Sequence, residues 1–166
     1  PNKAIEMAKK QLSEDSSFPQ LDFSLLLNFD HSSVFKLSIP TFNLVPKQFP
    51  GKLVWNGMDM TYRLSNNFDN VQGASVIKGL ELTSPFANAK VAKIALLSDL
   101  NATEYGLWVG TGSFDVPEIS VSAQGQSVFE LSKFKANSSA NIHDGLLDTS
   151  IHMSLQSVQS LGQSFG

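Results

Sequence analysis

From Leu21 onward the chain alternates apolar and polar residues with period two, the mark of β-strands with one face inward. The alternation repeatedly slips. Written as apolar, x, apolar, x, x, apolar, x, apolar, it fits Leu37, Ile39, Phe42 and Leu44, then Leu53, Trp55, Met58 and Met60. It fits again at Ala89, Val91, Ile94 and Leu96, at Phe114, Val116, Ile119 and Val121, and at Phe129, Leu131, Phe134 and Ala136. Imperfect copies start at Ser75 (Ile77, Leu80, Leu82) and at Met153 (Leu155, Val158). The inserted pairs are turn-like or polar: Pro40–Thr41, Asn56–Gly57, Lys78–Gly79, Pro117–Glu118 and Ser132–Lys133. Starts at 37, 75, 114 and 153 lie 38, 39 and 39 residues apart, which is a two-strand period.

An additional residue in a strand is a β-bulge, which bends the strand while returning its apolar side chains to one face. Bulges at matching heights in successive strands would fold a long sheet along a line. Pro117, which lacks a donor, and Gly57 and Gly79, which lack side chains, suit sites where the ladder is interrupted. The other reading is ordinary strand ends with separate short strands on each side. The segments run about 12 to 15 residues, long against a norm of roughly 5 to 6. Asn, Asp, Gly, Pro and Ser clusters separate them, among them "HSS", "NNFDN", "PFAN", "NATEYG", "AQGQ" and "NIHDG". The fold class expected is mostly β: a long antiparallel meander, strongly curved by aligned bulges into a half-barrel or barrel.

One helix is expected ahead of it. In "PNKAIEMAKKQLSE", Asn2 can cap and Ile5, Ala8 and Leu12 share a face. Ser13 to Pro19 read as a linker. The division is therefore residues 1–20, helix and linker, and residues 21–166, the meander domain. A start at Pro1, with no initiator Met and no apolar run near 18 residues, is expected of a fragment of a longer protein or a mature domain, any membrane anchor lying outside it.

Composition narrows function by exclusion. With 42% hydrophobic and 16% charged residues the chain has the means to bury a core. Its net charge of −3, with 12 basic residues scattered rather than striped, argues against nucleic acid. The absence of cysteine excludes disulfides, thiolate zinc sites and cysteine nucleophiles.

At "GKLVWNGM", "VIKGLEL", "YGLWVGTGSFDVPEISV" and "FELSKFKANSSANIHDGLLDTSIHMSL" the sequence resembles the YdgA-like family of bacterial envelope proteins, a family of unknown function. The matching elements are Gly51 to Gly57, Gly79–Leu80, Gly106 to Gly110 and Gly145 to Asp148, within roughly residues 50–160. The closing segment departs slightly, with Leu146 and Leu147 together before Asp148. The resemblance implies a periplasmic domain, inner-membrane-anchored in the full-length protein. It implies no catalytic residues.

Candidate chemistry is sparse. His31 falls in a turn, His143 beside Asp144, and His152 in a strand with Ser150 on its face; none has a second ligand at metal-like spacing. Asp22, Asp30, Asp59, Asp69, Asp99, Asp115 and Glu118 are scattered near turns or on polar strand faces. No Gly-x-Ser-x-Gly elbow occurs, and "GLWVGTG" lacks the Lys-Ser/Thr ending of a nucleotide loop. The expectation is a non-enzymatic domain with no metal and no cofactor, binding lipid or another hydrophobic ligand on a concave apolar face. That face is assigned to Trp55, Met58, Leu80, Ile94, Val116, Ile119, Leu131 and Phe134. A structural or homo-oligomerisation module with the face fully buried is the alternative, and an envelope hydrolase using His143 or His152 is the third.

Overall fold

The computed structural model describes residues 6, 10–161 and 163–165. Fourteen strands form one antiparallel sheet. They are β1 (Asp22–Leu27), β2 (Ser33–Ile39), β3 (Phe42–Leu44), β4 (Lys52–Trp55), β5 (Met58–Leu64), β6 (Asn70–Ile77) and β7 (Leu80–Thr83). The second half holds β8 (Ala87–Val91), β9 (Ile94–Ala102), β10 (Trp108–Ala123), β11 (Gln126–His143), β12 (Leu146–Ser154), β13 (Ser157–Ser160) and β14 (Gln163–Phe165).

The strand breaks lie where the alternation slips. β2 ends at Ile39 and β3 begins at Phe42; β4 gives way to β5 across Asn56–Gly57, and β6 to β7 across Lys78–Gly79. β10 and β11 run through their slips unbroken. Partners break together. Ile39 sits opposite Met58 and Phe42 opposite Trp55, so the same number of residues separates the pairs on both strands. The slip is thus a matched jog in neighbouring strands, not a bulge in one of them, and pairing resumes in phase beyond it. Backbone hydrogen bonds bridge the line: Lys78 N donates to Gly57 O at 2.8 Å, Asn56 N to Gly79 O at 3.0 Å, and Ala92 N to Glu118 O at 2.9 Å. Gly57 (φ 105°) and Gly79 (φ 134°) take backbone conformations there that a side chain would strain.

The line is a crease between two wings that share β10 and β11. The long wing runs β1-β2-β5-β6-β9-β10-β11-β12, and the short wing β3-β4-β7-β8-β10-β11-β13-β14. The sheet does not close, which corrects the barrel expectation. Neither wing brings its outer strands together: β1 pairs with β2 alone and β12 with β11 alone.

The N-terminal helix falls mainly on residues outside those described. Of the described residues in that stretch, Glu6, Lys10 and Gln11 have helical backbone, which stops before Leu12. Leu12, expected on the helix face, forms a β-bridge to Pro46 instead. The following linker is also stitched to the sheet: Ser13 N donates to Val45 O and Ser17 N to Asn43 O, both at 2.8 Å.

Candidate functional site

The register aligns the apolar residues into rows across the sheet. On the long-wing side of the crease lie Ile39, Met58, Ile77 and Ile94, with Val116 opposite Phe134 continuing the row. On the short-wing side lie Phe42, Trp55, Leu80, Val91, Ile119, Leu131 and Val158. All eight residues assigned from the sequence fall in these two rows. Met58, Ile94, Val116 and Phe134 occupy the first, and Trp55, Leu80, Ile119 and Leu131 the second.

Burial is concentrated along the same line. Val116 is 4% exposed, the one buried apolar side chain among the described residues, and the other seven are half-buried. Farther out on the same face, Leu82 and Leu96 are exposed and Met153 and Ile151 more so. No second layer covers the described sheet, so the side chains at the crease are shielded by their neighbours on the same face. Phe42 stacks on Trp55 with ring centroids 6.1 Å apart, and Phe114 meets Phe134 edge-on at 6.0 Å. The Trp55 indole nitrogen is shut off from solvent with no acceptor among the described residues.

Beside the crease, in the long wing, the apolar face has a floor of small residues. Gly73, Ser98, Gly112 and Ser138 are successive partners across β6, β9, β10 and β11. Gly110 lies opposite Ala140 in the next row but one from Phe114. Larger side chains flank them, leaving a trough of about 530 Å³ whose apolar lining includes Leu96, Leu100, Phe114, Ala136 and Ile151. Gly110 cannot carry a side chain: its φ is 139°, and a Cβ would lie 2.0 Å from the Asp99 carbonyl oxygen. The trough adjoins the predicted site but shares none of its eight residues. Its sequence signal was the Gly and Ser run at matching heights, which strand pairing alone brings into line.

The opposite face is polar. A groove of about 710 Å³ there is lined by Gln72, Asp99, Thr111, Asn137, Ser150 and His152 among others. His152 sits opposite Asn137, with Ser150 two residues along. His143 lies 3.4 Å from Asp144 in an exposed turn, and His31 occupies the β1–β2 turn at φ 65°. The three histidines do not converge, and no group of three potential metal ligands occurs among the described residues.

The carboxylates are engaged separately. Lys78 Nζ stands 2.7 Å from Asp59, whose other oxygen accepts from the Ser38 hydroxyl at 2.7 Å. The Lys78 contact, then the Ser38 hydroxyl, hold the Asp59 carboxyl below its usual range. The Ser32 hydroxyl and backbone N–H do the same for Asp30. Asp99 accepts from Gln72 at 3.0 Å and from Asn70 at 3.3 Å. Asp115 has Lys135 at 3.9 Å. Asp69 is bonded to Ser65 within its own turn.

Together these features define a class: a single-layer, creased β-meander with one apolar and one polar face. The chain belongs to a bacterial protein family of unknown function, DUF945, whose model matches residues 2–166. No curated protein and no solved structure matches it.

Proposed function

We propose that the domain is a non-enzymatic binder of hydrophobic ligands, holding an acyl chain in the trough of the long wing. One observation carries the reading. The chain exposes 11520 Å² of accessible surface, against about 8,000 Å² for a compact protein of its mass. Leu82, Leu96, Ile151 and Met153 stand exposed on the apolar face, with no second layer among the described residues over them. Exposed apolar patches beyond a few hundred Å² mark binding surfaces, and a small-residue floor between larger apolar walls admits a slender chain. The crease residues Trp55, Met58, Leu80, Ile94, Val116, Ile119, Leu131 and Phe134 lie beside the trough rather than in its lining, and in this reading they hold the sheet that carries it.

The setting belongs to the same proposal. A YdgA-like envelope protein, periplasmic and tethered to the inner membrane by a segment outside residues 1–166, would meet lipid chains routinely. The histidines do not converge, and the one histidine–carboxylate pair, His143 and Asp144, stands in an exposed turn with no cleft around it, which supports binding over hydrolysis.

The test is displacement of a fluorescent fatty acid. Wild-type protein is expected to bind it, and Ala140→Trp, which fills the trough beside Gly110, to weaken binding at least about tenfold, about 1.4 kcal/mol. Unchanged binding in a folded Ala140→Trp variant would sink the trough assignment.

A further inference from the structure

The free edges of the sheet are not alike. In the short wing, β3 is covered by residues 11–17, with Lys47 N donating to Gln11 O at 2.9 Å and Val45 N to the Ser16 hydroxyl at 2.9 Å. The opposite short-wing edge, β14, is 3 residues long. The long wing ends on β12, which is 9 residues long and exposed throughout. Its pairing with β11 runs from Ser154 to Leu146 without a register shift. Natural edges are blunted by short strands, bulges, Pro or charged side chains, Lys above all; β12, "LLDTSIHMS", is long and unbulged, has no Pro or Lys, and carries one carboxylate, Asp148.

The backbone groups on offer follow from the hairpin. Asp144 (φ 50°) and Gly145 (φ 75°) make a two-residue turn of the type that closes on a hydrogen-bonded pair, here His143 and Leu146. Alternation then points the N–H and C=O groups of Leu147, Thr149, Ile151 and Met153 away from β11.

We infer that β12 pairs antiparallel with β12 of a second copy of the chain, about a two-fold axis at Ser150. In that register the apolar face sets Leu147 against the partner's Met153 and Thr149 against the partner's Ile151. On the polar face, Asp148 meets the partner's His152, and the symmetry repeats the contact. A shift by two residues either way keeps the faces matched but separates Asp148 from the partner's His152. β1, the other long-wing edge, has no such self-complement. Its one charged residue, Asp22, finds no opposite charge on a second β1. The pairing is isologous, so it closes at two copies. It also completes the trough, whose outer wall at Ile151 is otherwise the bare sheet edge.

Light scattering on the 166-residue chain tests this. Wild type is expected to be a dimer, and Thr149→Pro a monomer with an unchanged circular dichroism spectrum, because the lost N–H faces away from β11. His152→Asp sets Asp148 against a like charge twice and is expected to weaken dimerisation about tenfold. The swap Asp148→His with His152→Asp restores the opposite pairing and is expected to recover it. A monomeric wild type, a dimeric Thr149→Pro, or a swap no better than His152→Asp alone would each overturn the inference. The charge swap decides the matter should Thr149→Pro fail to fold.

Discussion

Val116→Ala and Ile151→Ala remove apolar groups from one face of one sheet, yet should differ several-fold in effect. Val116 is 4% exposed at the crease, and Ile151 is 72% exposed near the edge. Truncating Val116 deletes two methyl groups, about 1.6 kcal/mol of transfer free energy. The walls around it cannot fully collapse, so the total reaches about 2–3 kcal/mol. Truncating Ile151 deletes three carbons worth about 2.4 kcal/mol if buried. With 72% of the side chain already in solvent, about 0.7 kcal/mol of that is at stake. Both substitutions lose a similar β-branched strand preference, which largely cancels in the comparison. Urea unfolding followed by tryptophan fluorescence reads the difference, and melting should fall by about 4–10 °C for Val116→Ala against about 2 °C for Ile151→Ala. Equal losses, or a larger loss at Ile151, would refute a core confined to the crease.

Further outcomes follow from particular contacts. Gly110→Ala combines a disfavoured φ with a clash against the Asp99 carbonyl, and is expected to destabilise by at least about 2 kcal/mol in urea unfolding; a neutral variant would contradict the close approach of β9 and β10. Trp55→Phe removes an indole N–H that has no acceptor, so lost area and relieved desolvation offset one another and stability should change by less than about 1 kcal/mol. Asp59 is held below its usual value of 3.8 by Lys78 and then Ser38. Its stabilisation is present above the unfolded-state value and lost as pH falls through the lower folded-state value. Asp59→Asn should therefore flatten the acid limb of a pH–stability profile below about pH 4, and an unaltered limb would remove Asp59 from the account.

Much of the fold was legible because a period-two pattern fixes which side chains share a face, and a slip of one residue flips them all. Pro40–Thr41, Asn56–Gly57 and Lys78–Gly79 could keep Ile39 and Phe42, Trp55 and Met58, and Ile77 and Leu80 on one face only through a break, and the sheet breaks there. The reading set the slips at matching heights but took each for a bulge, because one strand alone cannot show that its partner breaks over the same number of residues. It placed Leu12 on the helix face, one residue past the last helical position at Gln11, because spacing at i, i+3 and i+7 says nothing of the bridge Leu12 makes to Pro46. The trough was the least legible part. Leu100, Gly110, Ala140 and Ile151 are remote in sequence, and small residues carry no pattern until the register sets them side by side. The bulky crease residues were conspicuous in the sequence, and bulk is what closes the crease.

Native mass spectrometry of the chain, exported to the periplasm and purified without detergent, tests the ligand-binding claim most directly. The account expects a mass excess that dissociates as a fatty acid or phospholipid and is absent from Ala140→Trp. A bare wild-type mass, from protein shown to be folded, would contradict it.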